Sequence, residues 1–154
     1  MSLLIIEFEY EILNANGEVL DHISMEAHDI HTSMQNEFRT LGGVVAYDTR
    51  VKTKALKVPQ VTIQKHSVVS AEVANAMAEG AQKLFNSDFA IATTGNAGPT
   101  QGESNAEIGT VCIAIATPDG VFCEQFLFGK QRERVVTKAV NMALTMLQKE
   151  IFKN

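Results

Sequence analysis

Ile6, Phe8, Tyr10 and Ile12 alternate with Glu7, Glu9 and Glu11. That period of two predicts a half-buried strand with one acidic face. Asn16-Gly17 is a strong hairpin-turn dipeptide, and Glu18 to Met25 supplies a return strand, so the chain is expected to open with a β-hairpin. Ile30, Met34 and Phe38 then recur every four residues, which predicts a short amphipathic helix. After Gly42-Gly43, Val44 to Tyr47 reads as a short buried strand. Asp48 caps a helix over Thr49 to Lys57, and Pro59 lies just beyond its end. Ser70 is a good N-cap, and the stripe Val73, Met77, Ala81 and Leu84 carries a helix to about Asn86. The apolar run from Phe89 reads as a buried strand to Thr93, followed by a long polar loop, Thr94 to Glu107. Two further strands, Ile108 to Thr117 and Val121 to Phe128, flank the turn Pro118-Asp119-Gly120. The last helix, Gln131 to Phe152, has its stripe at Val136, Val140, Ala143, Leu147 and Ile151. This order predicts one α/β domain with a mixed sheet and helices packed on it.

Composition narrows the function classes. A chain of 154 residues, 45% hydrophobic and 20% charged, suits one domain with a real core. No linker, repeat or low-complexity segment divides it. The formal net charge of −5 and the lack of a basic face argue against nucleic acid. A nucleotide would need only one or two local cations. No apolar run approaches the roughly 18 residues of a membrane span, and no secretion signal opens the sequence. A cytoplasmic protein is expected. Cys112 and Cys123 fall on neighbouring strands and read as reduced, buried thiols. They make no zinc spacing with the four histidines, so neither a metal nor a cofactor is expected.

Three places can carry chemistry. Thr94-Gly95-Asn96-Ala97-Gly98-Pro99 follows directly on a buried strand. Its glycines let the backbone approach a ligand and aim N–H groups at it, which favours anions. Open α/β sheets place ligands at such strand ends. The plainer reading is a tight structural turn. Tyr47 and Lys52 form a second candidate, because a partly desolvated Lys beside a Tyr can act as a base. Equally, they can be a strand-end Tyr and a solvated Lys. Arg132 starts the last helix, where it can act with the helix N-terminus on a phosphate, or simply lie at the surface. His28, His31 and His66 show no catalytic spacing, and His22 reads as a sheet residue.

Read in order, these segments resemble the C-terminal domain of the competence/damage-inducible protein CinA, a domain that also occurs alone as nicotinamide-nucleotide amidohydrolase. The resemblance rests on Gly42-Gly43-Val44-Val45-Ala46-Tyr47 with Lys52, on Lys65 to Ser70, and on Ala76-Met77-Ala78-Glu79-Gly80. Thr94 to Pro99, Gly109-Thr110-Val111 and Arg132 complete the series. It covers residues 42–154 and leaves 1–41 as a divergent N-terminal part of the same domain. The resemblance implies a three-layer α/β/α fold, with the N-terminal hairpin standing in for the usual first helix. It implies hydrolysis of the carboxamide of nicotinamide mononucleotide to nicotinate mononucleotide and ammonia. Tyr47 and Lys52 would then assist a serine nucleophile. Thr94, Gly95, Asn96, Ala97, Gly98 and Arg132 would bind the substrate, with Arg132 on the phosphate. The chain is also expected to form a homodimer or higher homo-oligomer, the edge of the hairpin offering one pairing surface.

One departure changes what the resemblance implies. The family's nucleophile lies in a Glu-Ser-Cys-Thr-Gly-Gly stretch upstream of the segment matching Gly42-Gly43, and this sequence contains no such stretch. Ser24 and Ser33 are the nearest serines and lack the surrounding glycines. Asn96 stands where the family usually has an apolar residue, and Ser67 where it usually has Gly. Two readings follow: an amidohydrolase with an unrecognised nucleophile, or a non-catalytic paralogue that binds a nucleotide or a partner protein.

Overall fold

The computed structural model describes residues 2–4, 10–13, 19–23, 39–99 and 104–153, with side chains from residue 41 onward. Four strands, β1 (Ser2–Leu4), β2 (Tyr10–Leu13), β3 (Val19–Ile23) and β4 (Arg39–Thr40), come first. Three helices follow, α1 (Thr49–Lys54), α2 (Gln60–His66) and α3 (Ala71–Phe85). Strands β5 (Phe89–Gly95), β6 (Thr110–Thr117) and β7 (Gly120–Leu127) lead into the last helix, α4 (Arg132–Ile151).

Five strands form one mixed sheet in the order β4-β1-β5-β6-β7. β1 runs parallel to both β4 and β5, whereas β5, β6 and β7 are antiparallel neighbours. The expected hairpin exists as β2 and β3, which pair antiparallel with Tyr10 opposite Ile23. Among the described residues it forms its own two-stranded sheet. The turn at Asn16-Gly17 and the helix expected around Ile30 to Phe38 lie outside the described residues.

Alternation along β5 and β6 sets the two cores. Ala90, Ala92, Cys112, Ala114 and Ala116 face one side, in one apolar cluster with Val73, Ala74, Met77, Ala78 and Ala81 of α3. Phe89, Ile91, Val111, Ile113 and Ile115 face the other, against Val135, Ala139, Ala143, Met146 and Leu147 of α4. Alanine on both surfaces lets α3 lie close to the sheet, while α4 is held off by large side chains on the opposite face. Helices on both faces give the three-layer α/β/α arrangement. Fully burying Ile113, Ile115 or Leu147 contributes about 1.5–3 kcal/mol each.

The ends of α3 follow the expected chemistry. Ser70 Oγ accepts from the Val73 N–H, and Asn86 closes the helix in the left-handed conformation. α4 begins and ends within a residue of the expected bounds.

Three sequence expectations need correction. Val44 to Tyr47 is not a buried strand: it is extended coil, with only Ala46 buried. A strand needs a ladder partner, and four apolar residues do not supply one. α1 stops at Lys54, because Pro59 opens a second short helix, α2, that the pattern did not reveal. Leu84 is 52% exposed, and the buried face of α3 runs instead through Val73, Ala74, Met77, Ala78 and Ala81. The leading apolar residues Leu3 and Leu4 belong to β1, inside the sheet between β4 and β5, as suits a short apolar run in a parallel strand.

Gly80 marks the tightest approach of α3. A Cβ there would lie 1.9 Å from the Leu56 carbonyl oxygen. Helix propensity alone favours Ala over Gly by about 1 kcal/mol. Overpacking against a backbone atom outweighs that gain, so Gly80→Ala is expected to lower stability by about 2 kcal/mol in urea denaturation. A stabilised variant would refute the close approach.

Candidate functional site

The polar loop begins later than its sequence indicates. Thr94 and Gly95 are the last residues of β5, paired with Cys112 and Val111. Because strand side chains alternate, Thr93 and Thr94 point to opposite faces. Thr94 Oγ1 donates to the Val68 carbonyl at 2.7 Å, tying the strand end to the segment that leads into α3.

Beyond Gly95 the backbone is held on several sides. The Asn96 N–H donates to Thr110 O at 2.8 Å, and Asn96 O accepts from the Gly109 N–H at 2.6 Å. The buried Asn96 side chain donates to Ala106 O at 3.1 Å. Arg132 Nη1 donates to Gly98 O at 2.8 Å. Gly98 has φ +77, and a Cβ there would sit 2.7 Å from Ile108 Cγ2, so glycine suits this bend. The structure thus joins the loop to Arg132, although they lie 34 residues apart. Gln131 supplies no side-chain cap to α4.

Tyr47 and Lys52 are arranged differently from the expected pair. The Tyr47 side chain is on the surface, the residue being 85% exposed, whereas Lys52 is buried at 6% exposure. Lys52 Nζ donates to the carbonyls of Ala46 and Tyr47, the latter at 3.3 Å. Both of these bonds are to backbone carbonyls. Asp48 positions α1 by accepting from the Arg50 N–H at 2.7 Å. The Arg50 guanidinium bonds hold the Asp48 carboxyl down at about 2. A carboxyl with a depressed folded-state pKa contributes above its unfolded value, near 4, and loses that contribution as pH falls towards 2.

The segment between α2 and α3 holds features that sequence reasoning missed. Ser67 has φ +71 and ψ 160, a region that glycine occupies almost alone. Its carbonyl accepts from Ser70 Oγ at 2.9 Å, and the next carbonyl is the one that receives Thr94. His66 Nδ1 lies 3.1 Å from Glu72 Oε1. Cys112 and Cys123 are both free thiols. Contact with Cys123 pulls the Cys112 thiol below the ordinary range, and the same contact holds Cys123 above it. Among the described residues, no group of three His, Cys, Asp or Glu side chains could hold a metal, and no helix is long and apolar enough to cross a membrane.

Comparison with known proteins decides the family. The family model for the CinA C-terminal domain matches residues 36–151. This chain belongs to the CinA C-terminal domain family. The match begins six residues before the Gly42 at which the sequence motifs start. A CinA-like protein of Flavobacterium psychrophilum is 57% identical over 113 residues, covering 73% of this chain and 27% of that protein. A CinA-like protein of Fervidobacterium nodosum is 38% identical over 112 residues, 73% of this chain and 28% of that protein. The chain therefore spans little more than a quarter of the length of these relatives.

Among solved structures, a CinA superfamily protein from Escherichia coli superimposes with TM-score 0.68 at 33% identity. It covers 73% of this chain and 64% of that one. A competence damage-inducible protein A from Klebsiella pneumoniae gives TM-score 0.69 at 33% identity, covering 76% and 72%. The α/β fold is thus that of the CinA superfamily.

Ser67 keeps a backbone conformation suited to glycine. Strain of this kind costs about 1–3 kcal/mol, against roughly 0.5–1 kcal/mol for the extra unfolded-state entropy of glycine. Ser67→Gly is therefore expected to raise stability by about 1 kcal/mol in urea denaturation. A loss of stability would show that the Ser67 side chain contributes more than its backbone costs.

Proposed function

We propose that this CinA-type domain binds a nicotinamide mononucleotide-like ligand at Thr94 to Gly98 and Arg132, with amide hydrolysis impaired. The observation that carries the reading is the pairing of an intact loop with a missing nucleophile. The whole Thr94-Gly95-Asn96-Ala97-Gly98-Pro99 run is present, whereas no Glu-Ser-Cys-Thr-Gly-Gly stretch occurs in the sequence. Arg132 reaches the loop, and the α4 N-terminus beside it has no side-chain cap. A phosphate there would meet a guanidinium and the positive end of a helix together.

The catalytic half has less support. Lys52 holds the carbonyls of Ala46 and Tyr47, which makes it a positioning group for that backbone. In serine hydrolases, loss of the nucleophile alone lowers kcat by about 10⁶. What remains is whatever binding and N–H stabilisation of a developing oxyanion supply. The second reading is a working amidohydrolase whose nucleophile lies elsewhere in the chain. The burial of Lys52 favours it, since an amine shielded from water can serve as a base.

Titration calorimetry with nicotinamide mononucleotide separates these readings when paired with an ammonia assay. Binding is expected, weakened about tenfold or more in Arg132→Gln by loss of a charged hydrogen bond. Ammonia release is expected to match buffer at high protein concentration. No binding heat would sink the nucleotide reading, and release at an enzymatic rate would establish the second one.

A further inference from the structure

A cavity of about 60 Å³ lies between the end of β5 and α4, on the face of the sheet opposite Thr94. Its origin is legible in the strand. On this face β5 presents Phe89 and Ile91, then Thr93 and Gly95, so the side chains shrink towards the loop while α4 continues past them. Thr93, Gly95 and Ala97 line one wall, with Val135, Val136 and Ala139 of α4 across from them. The lining contains no charged side chain.

Thr93 is 7% exposed, and among the described residues its Oγ1 has no hydrogen-bond partner. Leaving a buried hydroxyl unsatisfied is costly, and such groups are normally met by water or ligand. Ser87 Oγ and Asn75 Oδ1 are also unpartnered, but neither lines this cavity. A purely apolar void of about 150 Å³ takes benzene, and a single water needs roughly 10–15 Å³. This cavity therefore suits two to four heavy atoms with one polar atom among them.

We infer that the cavity is a binding subsite for a small uncharged group of alcohol or primary-amide size, hydrogen-bonded to Thr93 Oγ1 and enclosed by α4. The subsite is distinct from the phosphate position at Arg132 and does not depend on amide hydrolysis. It does share the loop: Gly95 and Ala97 form its wall, and Arg132 sits one turn before Val135 and Val136. A ligand seated here would brace the loop against α4 from the side opposite the Thr94–Val68 hydrogen bond.

Ethanol, followed by methyl NMR on the full chain, tests the subsite. Saturable shifts are expected at the Ala97, Val135, Val136 and Ala139 methyls, and none at Val73 or Ala78 in the opposite layer. Thr93→Val keeps the shape and removes the hydroxyl, and should weaken ethanol about tenfold while still admitting xenon. Thr93→Ser keeps the hydroxyl and should retain ethanol binding. Shifts that grow linearly without saturating in the unaltered chain would overturn the inference, because the hydroxyl would then hold water only. Unchanged ethanol affinity in a folded Thr93→Val would overturn it as well.

Discussion

The alternation of β5 and β6 is the constraint from which the remaining features follow. A strand sends successive side chains to opposite faces. Here that rule gives alanines to the α3 side and isoleucine, valine and phenylalanine to the α4 side. Close packing of α3 follows from the small face, and Gly80 against the Leu56 carbonyl is its extreme point. The same rule divides two adjacent threonines. Thr94 reaches Val68 in the α3 layer, and Thr93 faces the cavity beneath α4. A one-residue slip of β5 against β6 would exchange both cores and both threonines at once.

The candidate site is consequently built from both layers at one end of the sheet. The described part of its loop is tied down at several points. Asn96, Thr94 and Arg132 each spend a side-chain hydrogen bond on backbone from a different part of the chain. Such bracing fixes where the loop N–H groups point, which a preorganised anion site requires. It also means that substituting any of these side chains alters the scaffold as well as ligand contacts. Lys52 shows the same economy, since its buried amine joins α1 to the backbone of residues 46 and 47.

Much of this was legible in the residues. The long elements α3, β5, β6, β7 and α4 fall close to their expected bounds, because a helical stripe marks α3 and α4 and a continuous apolar run marks β5 and β6. Short pieces did not announce themselves. Val44 to Tyr47 has strand-like residues but no ladder, and α2 contributes no fully buried side chain to mark its face. Arg132 and the loop were both singled out, yet only the folded chain shows that Arg132 grips Gly98. The exposed ring of Tyr47 was invisible to sequence reasoning, since a tyrosine at the end of an apolar run looks buried. Ser67 was noticed as a departure from the family pattern. Its positive φ is one that glycine adopts without strain.

The central claim is that ligand recognition at the Thr94 to Gly98 loop is retained while the covalent step is lost. Phosphorus and proton NMR of nicotinamide mononucleotide with the purified chain reads both halves in one sample. The account predicts that the phosphate line shifts and broadens with added protein, while the carboxamide signals persist for hours without nicotinate mononucleotide appearing. An unperturbed phosphate line at millimolar protein, or conversion to the acid at a catalytic rate, would contradict it.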